Sequence, residues 1–110
     1  MTPTEKKYSK YVGNMYWALD RRWSTDEGDY INTYDMIMIT GIQRKYSETG
    51  NYIFKIDVLK YAKEDEDPRN RNFIFRCAQF VDYLDNPTVW TKFIPVTDGN
   101  LPDDNGKIST

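Results

Sequence analysis

The sequence predicts an α+β fold, with a long N-terminal helix packed on a four-stranded antiparallel sheet. Three observations carry this reading. A helix-starting signal at the N-terminus is followed by apolar residues at helical spacing. A strictly alternating run follows a glycine-containing turn in mid-chain. Further β-compatible runs are separated by charged or proline-containing connections.

The helix comes first. Thr2-Pro3-Thr4-Glu5 places Thr at the N-cap, Pro at the first helical position and Glu at the third, a capping box whose proline loses no needed hydrogen bond. Tyr8, Tyr11, Val12, Met15, Leu19 and Trp23 then recur on one helical face. Gly13 costs such a helix about 1 kcal/mol against Ala. The expected helix runs from about 3 to 23 and is roughly 30 Å long. Residues 24–34, STDEGDYINTY, read as an acidic loop.

The strands follow. Residues 35–46, DMIMITGIQRKY, are β-compatible, and SETG at 47–50 makes a turn. In 51–62, Tyr52, Phe54, Ile56 and Val58 alternate with Lys55 and Asp57, which is a hairpin pattern. Residues 63–72, KEDEDPRNRN, form a charged connection that no central strand accommodates. Residues 73–84, FIFRCAQFVDYL, read as a strand, although Phe73, Cys77, Phe80 and Leu84 also fit a helix. Asp85-Asn86-Pro87 turns the chain into a last strand at 88–96, placed at a sheet edge by Pro95. One domain over 1–96 and a flexible tail over 97–110 complete the organisation. A small five-stranded barrel, with 15–24 as its first strand, is the alternative architecture.

The element order is similar to that of the cystatin-like and NTF2-like folds, in which a curved sheet wraps a helix. The resemblance covers element order alone, and no residue motif accompanies it. It implies a ligand pocket or enzyme site inside the curve as one alternative function.

Composition narrows the chemistry. An aromatic content of 15% in 110 residues argues for a packed domain, because disordered chains lack aromatics. There is no histidine, which removes the usual base of hydrolytic triads and the usual metal ligand. One cysteine, Cys77, forms no intrachain disulfide and builds no cysteine-only metal cluster, and it reads as a small core hydrophobe. No phosphate-binding or dinucleotide glycine motif is present, so no cofactor is expected. Asp57 and Asp82, inside strand candidates, read as solvent-face carboxylates rather than a catalytic pair. The acidic run Glu64-Asp65-Glu66-Asp67 lacks the spacing of a calcium loop and reads as a solvated connection. No catalytic or metal-binding residue is assigned, and the protein is expected not to be an enzyme. Without a signal-like apolar segment or a run of the ~20 apolar residues that span a bilayer, a cytoplasmic location away from membranes is expected.

Charge and aromatics point to binding. The net charge of −2 is unevenly spread, with +3 over residues 1–25 and −3 over 26–50. If the apolar stripe of the helix faces the sheet, its outer face presents Lys6, Lys10, Asn14, Trp17 and Arg21. Arg69, Arg71 and Arg76 form a second basic cluster. An exposed Trp among basic side chains suits a protein interface, and it also suits a stacked base on a nucleic-acid backbone. The expected function is therefore a non-enzymatic protein-binding module, with nucleic-acid binding as the alternative. The composition resembles that of small phage or mobile-element proteins, which implies an inhibitor of a host protein. An exposed edge strand at 88–96 offers a route to a homodimer.

Overall fold

The computed structural model describes residues 3–44, 52–63 and 73–97, together with Pro102. The fold is α+β. Its elements are α1 (Pro3–Tyr8) with a 3₁₀ turn over Ser9–Tyr11, β1 (Met15–Ser24), β2 (Asp29–Arg44), β3 (Tyr52–Lys60), β4 (Phe75–Arg76), α2 (Cys77–Asp85) and β5 (Phe93–Pro95). The strands form one antiparallel sheet in the order β4-β3-β2-β1-β5. The chain meanders from β1 to β4. Helix α2 then crosses the sheet and delivers β5 to the far edge, beside β1.

The long N-terminal helix is not formed, and the reason sits at Gly13. The first helix stops after two short turns. Gly13 takes φ +90°, a left-handed conformation that glycine adopts at no steric cost. Its N–H donates to the Ile39 carbonyl at 2.7 Å, and Ile39 N–H returns a bond to the Asn14 carbonyl at 3.0 Å, so the chain is already entering the β ladder. Residues 15–24 are a strand, as in the barrel alternative. Tyr16 through Asp20 are all buried because β1 is covered on both faces. A strand covered on both faces shows no alternation, so its apolar residues matched a helical spacing by coincidence.

The second correction concerns 73–84. Only Phe75–Arg76 is strand, and Cys77–Asp85 is helix. Cys77 and Phe80 are buried, with Val81 and Leu84 packed beside them, while Ala78, Gln79 and Asp82 face water. That is the i, i+3, i+4, i+7 pattern of an amphipathic helix. The helix ends at Asn86, whose N–H reaches the Asp82 carbonyl at 2.7 Å, and Pro87 prevents its continuation. The predicted strand 88–96 shortens to Phe93–Pro95, and the acidic loop at 24–34 shortens to a four-residue turn inside the β1–β2 hairpin.

The sheet curls into a half-barrel around α2. Phe80, fully buried, meets Tyr16 at 5.1 Å, Phe54 at 5.5 Å and Phe93 at 4.3 Å between ring centroids. Tyr8 and Tyr11 close the N-terminal end of this core against Phe54. The curved sheet wraps a helix, as the element order implied, but the wrapped helix is α2 rather than the N-terminal one. Two carboxylates are buried on the hairpin: Asp35 accepts from the Ala62 N–H at 2.7 Å, and Asp20 pairs with Arg22. The opposite face of β1 and β2 carries a second cluster, with Trp17, Leu19 and Tyr34 buried beside Met36, Ile94 and Val96. Among the described residues, no helix is long and apolar enough to cross a membrane. Apart from Thr97 and Pro102, the expected tail lies outside the described residues.

Candidate functional site

The most distinctive surface lies on the outer face of the β1–β2 hairpin, toward its turn. The register pairs Leu19 with Tyr34, Arg21 with Asn32 and Trp23 with Tyr30, and alternation puts all six on the same face. Ser24 and Asp29 close the hairpin around Thr25–Gly28. Gly28, at φ +65°, supplies the left-handed residue of the turn, and its N–H donates to the Ser24 carbonyl at 2.9 Å. Asp29 accepts from the Tyr30 N–H at 2.7 Å.

A third aromatic reaches this face from the α2–β5 connection. The Thr88 hydroxyl accepts from the backbone N–H of Trp90 at 3.2 Å and of Thr91 at 2.9 Å. Thr88 N–H donates to the Thr91 carbonyl at 2.9 Å, and Leu19 N–H donates to the Lys92 carbonyl at 2.9 Å. The turn is thus knotted by one side chain and pinned to β1. It holds Trp90 edge-to-face against Tyr30 at 5.2 Å, and Trp23 meets Tyr30 in the same way at 5.2 Å. All three rings remain about half exposed, at 56% for Trp23, 43% for Tyr30 and 54% for Trp90. Large aromatics this open are uncommon in a core, and here they are contiguous.

Arg21 organises the centre. Its guanidinium lies 5.2 Å from the Tyr30 ring centroid and 5.4 Å from that of Trp90. Its Nη1 donates to Asn32 Oδ1 at 3.0 Å. Beside it opens a cleft of about 290 Å³, floored by Leu19 and Tyr34, walled by Val89, and lined by Arg21, Asn32 and Lys92. Beyond the rings, the turn carries exposed Asp26, Glu27 and Asp29. The surface therefore runs from a basic cleft, across an aromatic patch, to an acidic tip.

The residues singled out from the sequence do not share a helix face. Lys6 is exposed on α1, and Lys10 on the 3₁₀ turn that follows it. Asn14 is exposed in the link to β1, where its amide donates to the Lys10 carbonyl at 3.3 Å. Trp17 is 3% exposed and belongs to the second apolar cluster, so it is no surface anchor. Arg21 is seven positions from Asn14, roughly 23 Å along an extended strand. It alone of that set joins the aromatic surface. Arg69, Arg71 and the run Glu64–Asp67 lie outside the described residues. Asp57 and Asp82 are exposed on β3 and α2, facing water. Cys77, at 1% exposure, is a core residue. Among the described residues, no group of three or more Cys, Asp or Glu is placed to hold a metal ion.

Trp23, Tyr30, Asn32, Trp90 and Lys92 escaped the sequence reading. A hairpin centred on Asp26-Glu27 would have exposed the first three, because its register pairs Trp23 with Tyr30 and Arg21 with Asn32. Nothing local in the sequence brings Trp90 to them.

No protein-family model matches the chain, and comparison with curated proteins and with solved structures finds no match.

Proposed function

We propose that this chain is a protein-binding module and that Trp23, Tyr30 and Trp90 form its contact surface. The observation that carries the reading is the contiguity of three half-exposed rings, each held edge-to-face by a neighbour. Tyr, Trp and Arg dominate the energetics of protein interfaces, the two aromatics because they bring large area at low entropic cost. Here the rings are already ordered by one another and by Arg21, so little freedom remains to be lost on association. The acidic tip at Asp26, Glu27 and Asp29 weighs against a nucleic-acid backbone, which those carboxylates would repel. The inhibitor role implied by the composition is a narrower form of this reading, in which the bound protein is blocked sterically.

The test is affinity capture from the native host's lysate, with and without nuclease, using the wild-type protein and the Trp23→Ala and Trp90→Ala variants. One stoichiometric protein is expected to survive nuclease and to be lost with either variant. Capture that ignores both substitutions, or that disappears with nuclease alone, would overturn the proposal.

A further inference from the structure

We infer that the cleft beside Arg21 receives a carboxylate from the partner, an acidic side chain presented next to an apolar one. This rests on the protein-binding reading above and names the chemistry that the surface selects.

The two arginines of β1 are treated differently by the fold. Arg22, on the inner face, is paired internally with Asp20. Arg21, on the outer face, makes no ion pair among the described residues. Its one hydrogen bond is to the neutral amide of Asn32, at 3.0 Å. Its Nε is buried and has no acceptor among the described residues. Lys92 lines the same cleft, and among the described residues it has no carboxylate partner and no acidic residue lines the cleft. Two cationic residues therefore line a cavity to which the described residues bring no anion.

The geometry favours a planar anion. The guanidinium is held against two rings at once, 5.2 Å from the Tyr30 centroid and 5.4 Å from that of Trp90. With Nη1 committed to Asn32, the Nε and Nη2 donors on the remaining edge form a fork that matches the two oxygens of a carboxylate. Because Nε is buried, a carboxylate reaches it after a side-chain rearrangement of the kind common on binding, and then supplies the acceptor that Nε lacks. Lys92, which also lines the cleft, adds a second positive charge.

The size and lining favour a peptide. A volume of about 290 Å³ lies at the lower limit of small-molecule pockets and suits a single side chain. Leu19, Tyr34 and Val89 offer apolar contact beside the cations, for the residue next to the acidic one. The acidic tip on the far side of the rings orients the segment, since a carboxylate is attracted to the cleft and repelled from Asp26, Glu27 and Asp29.

The experiment is an NMR titration of the ¹⁵N-labelled full chain with the capped dipeptide acetyl-leucyl-glutamate amide, its glutaminyl counterpart, and sodium phosphate. The Arg21 Nε–H and Trp90 indole N–H signals are followed. The glutamate peptide is expected to shift both saturably and to bind about tenfold tighter than the glutamine peptide, as one charge-assisted hydrogen bond implies. Arg21→Lys, which keeps the charge and removes the fork, is expected to erase that discrimination while the spectrum stays dispersed. Equal binding of the two peptides, or no movement of the Arg21 signal, overturns the inference. Phosphate that shifts Arg21 as strongly as the glutamate peptide makes the cleft a general anion site and overturns the peptide assignment. If capture in lysate needs Trp90 but ignores Arg21→Lys, this inference fails and the protein-binding reading stands. If capture ignores Trp23 and Trp90, both fall.

Discussion

Phe75 and Phe93, on the two edge strands of the sheet, meet edge-to-face with 5.2 Å between ring centroids. Strands at opposite edges of an open, flat sheet cannot touch. The contact shows that the sheet has curled far enough for its edges to meet over α2. Phe80 lies beneath both rings, 6.3 Å from Phe75 and 4.3 Å from Phe93. The curl is therefore held by one aromatic stack rather than by a continuous strand ladder, since β4 pairs through two residues and β5 through three.

Phe80→Ala is expected to be among the most damaging truncations of the described core. The side chain is fully buried and contacts the rings of Tyr16, Phe54, Phe75 and Phe93. Phe→Ala in a core costs about 3–5 kcal/mol, a large share of the roughly 5–15 kcal/mol that stabilises a domain. Urea denaturation would read the loss as a lower midpoint, with Phe80→Leu intermediate. A Phe80→Ala midpoint within error of wild type would show that the stack does not hold the curl.

Trp17 and Trp90 should separate stability from binding. Trp17 is 3% exposed beneath Tyr34 and Ile94, whereas Trp90 is 54% exposed. Trp17→Ala is expected to cost about 3–5 kcal/mol by leaving a cavity. Trp90→Ala gives up an edge-to-face contact and a cation–π contact, together about 1–2 kcal/mol, and should keep the fold. Thermal melts of the two variants check this. A Trp90→Ala melt as low as that of Trp17→Ala would make the aromatic surface structural.

Much of the sheet was legible in the sequence, and the parts that were not share a cause. Tyr52–Val58 alternates because β3 is covered on one face, and its strand was readable for that reason. β1 is buried on both, with Tyr16 and Ala18 in the cluster of Phe80 and Phe93 and with Trp17 and Leu19 in the cluster of Tyr34, Ile94 and Val96, so its periodicity was erased. Its true signal was Gly13, where the backbone turns from helix to strand. The site was half legible. Arg21, expected on a helix face beside an exposed Trp, lies instead on β1 beside Tyr30 and Trp90. Trp90 was invisible because its partner Tyr30 lies sixty residues earlier and meets it only once β5 pairs with β1.

Asp35 is expected to tie the end of β3 to the hairpin. It is fully buried, and its Oδ1 accepts from the Ala62 N–H at 2.7 Å, just past the last residue of the strand. Asp35→Ala would leave that N–H without its acceptor, at a cost of about 1–3 kcal/mol. Asp35→Asn keeps a carbonyl oxygen in place and should cost less. Hydrogen exchange at the Ala62 amide is the direct readout. It should accelerate strongly in Asp35→Ala and less in Asp35→Asn. Unchanged exchange in both would mean that the bond contributes nothing to local order.

Cys77 should make stability fall on the alkaline side. Burial under the curled sheet pushes its thiol up to about 11, against about 8.5 for a free cysteine. Between those values the unfolded chain has lost the thiol proton and the folded chain retains it. Folding then binds a proton, so stability is complete below about pH 8.5 and declines as pH rises toward 11. Tyr16, also raised by burial, adds a decline in the same direction. Cys77→Ala isolates the thiol: its urea midpoint should fall less than that of wild type between pH 8.5 and 10.5. The same burial predicts slow alkylation. Iodoacetamide at pH 8 should modify the native protein far more slowly than the urea-unfolded chain, because the thiolate is both scarce and covered. Equal rates in the two states would place Cys77 at the surface and remove the alkaline effect with it.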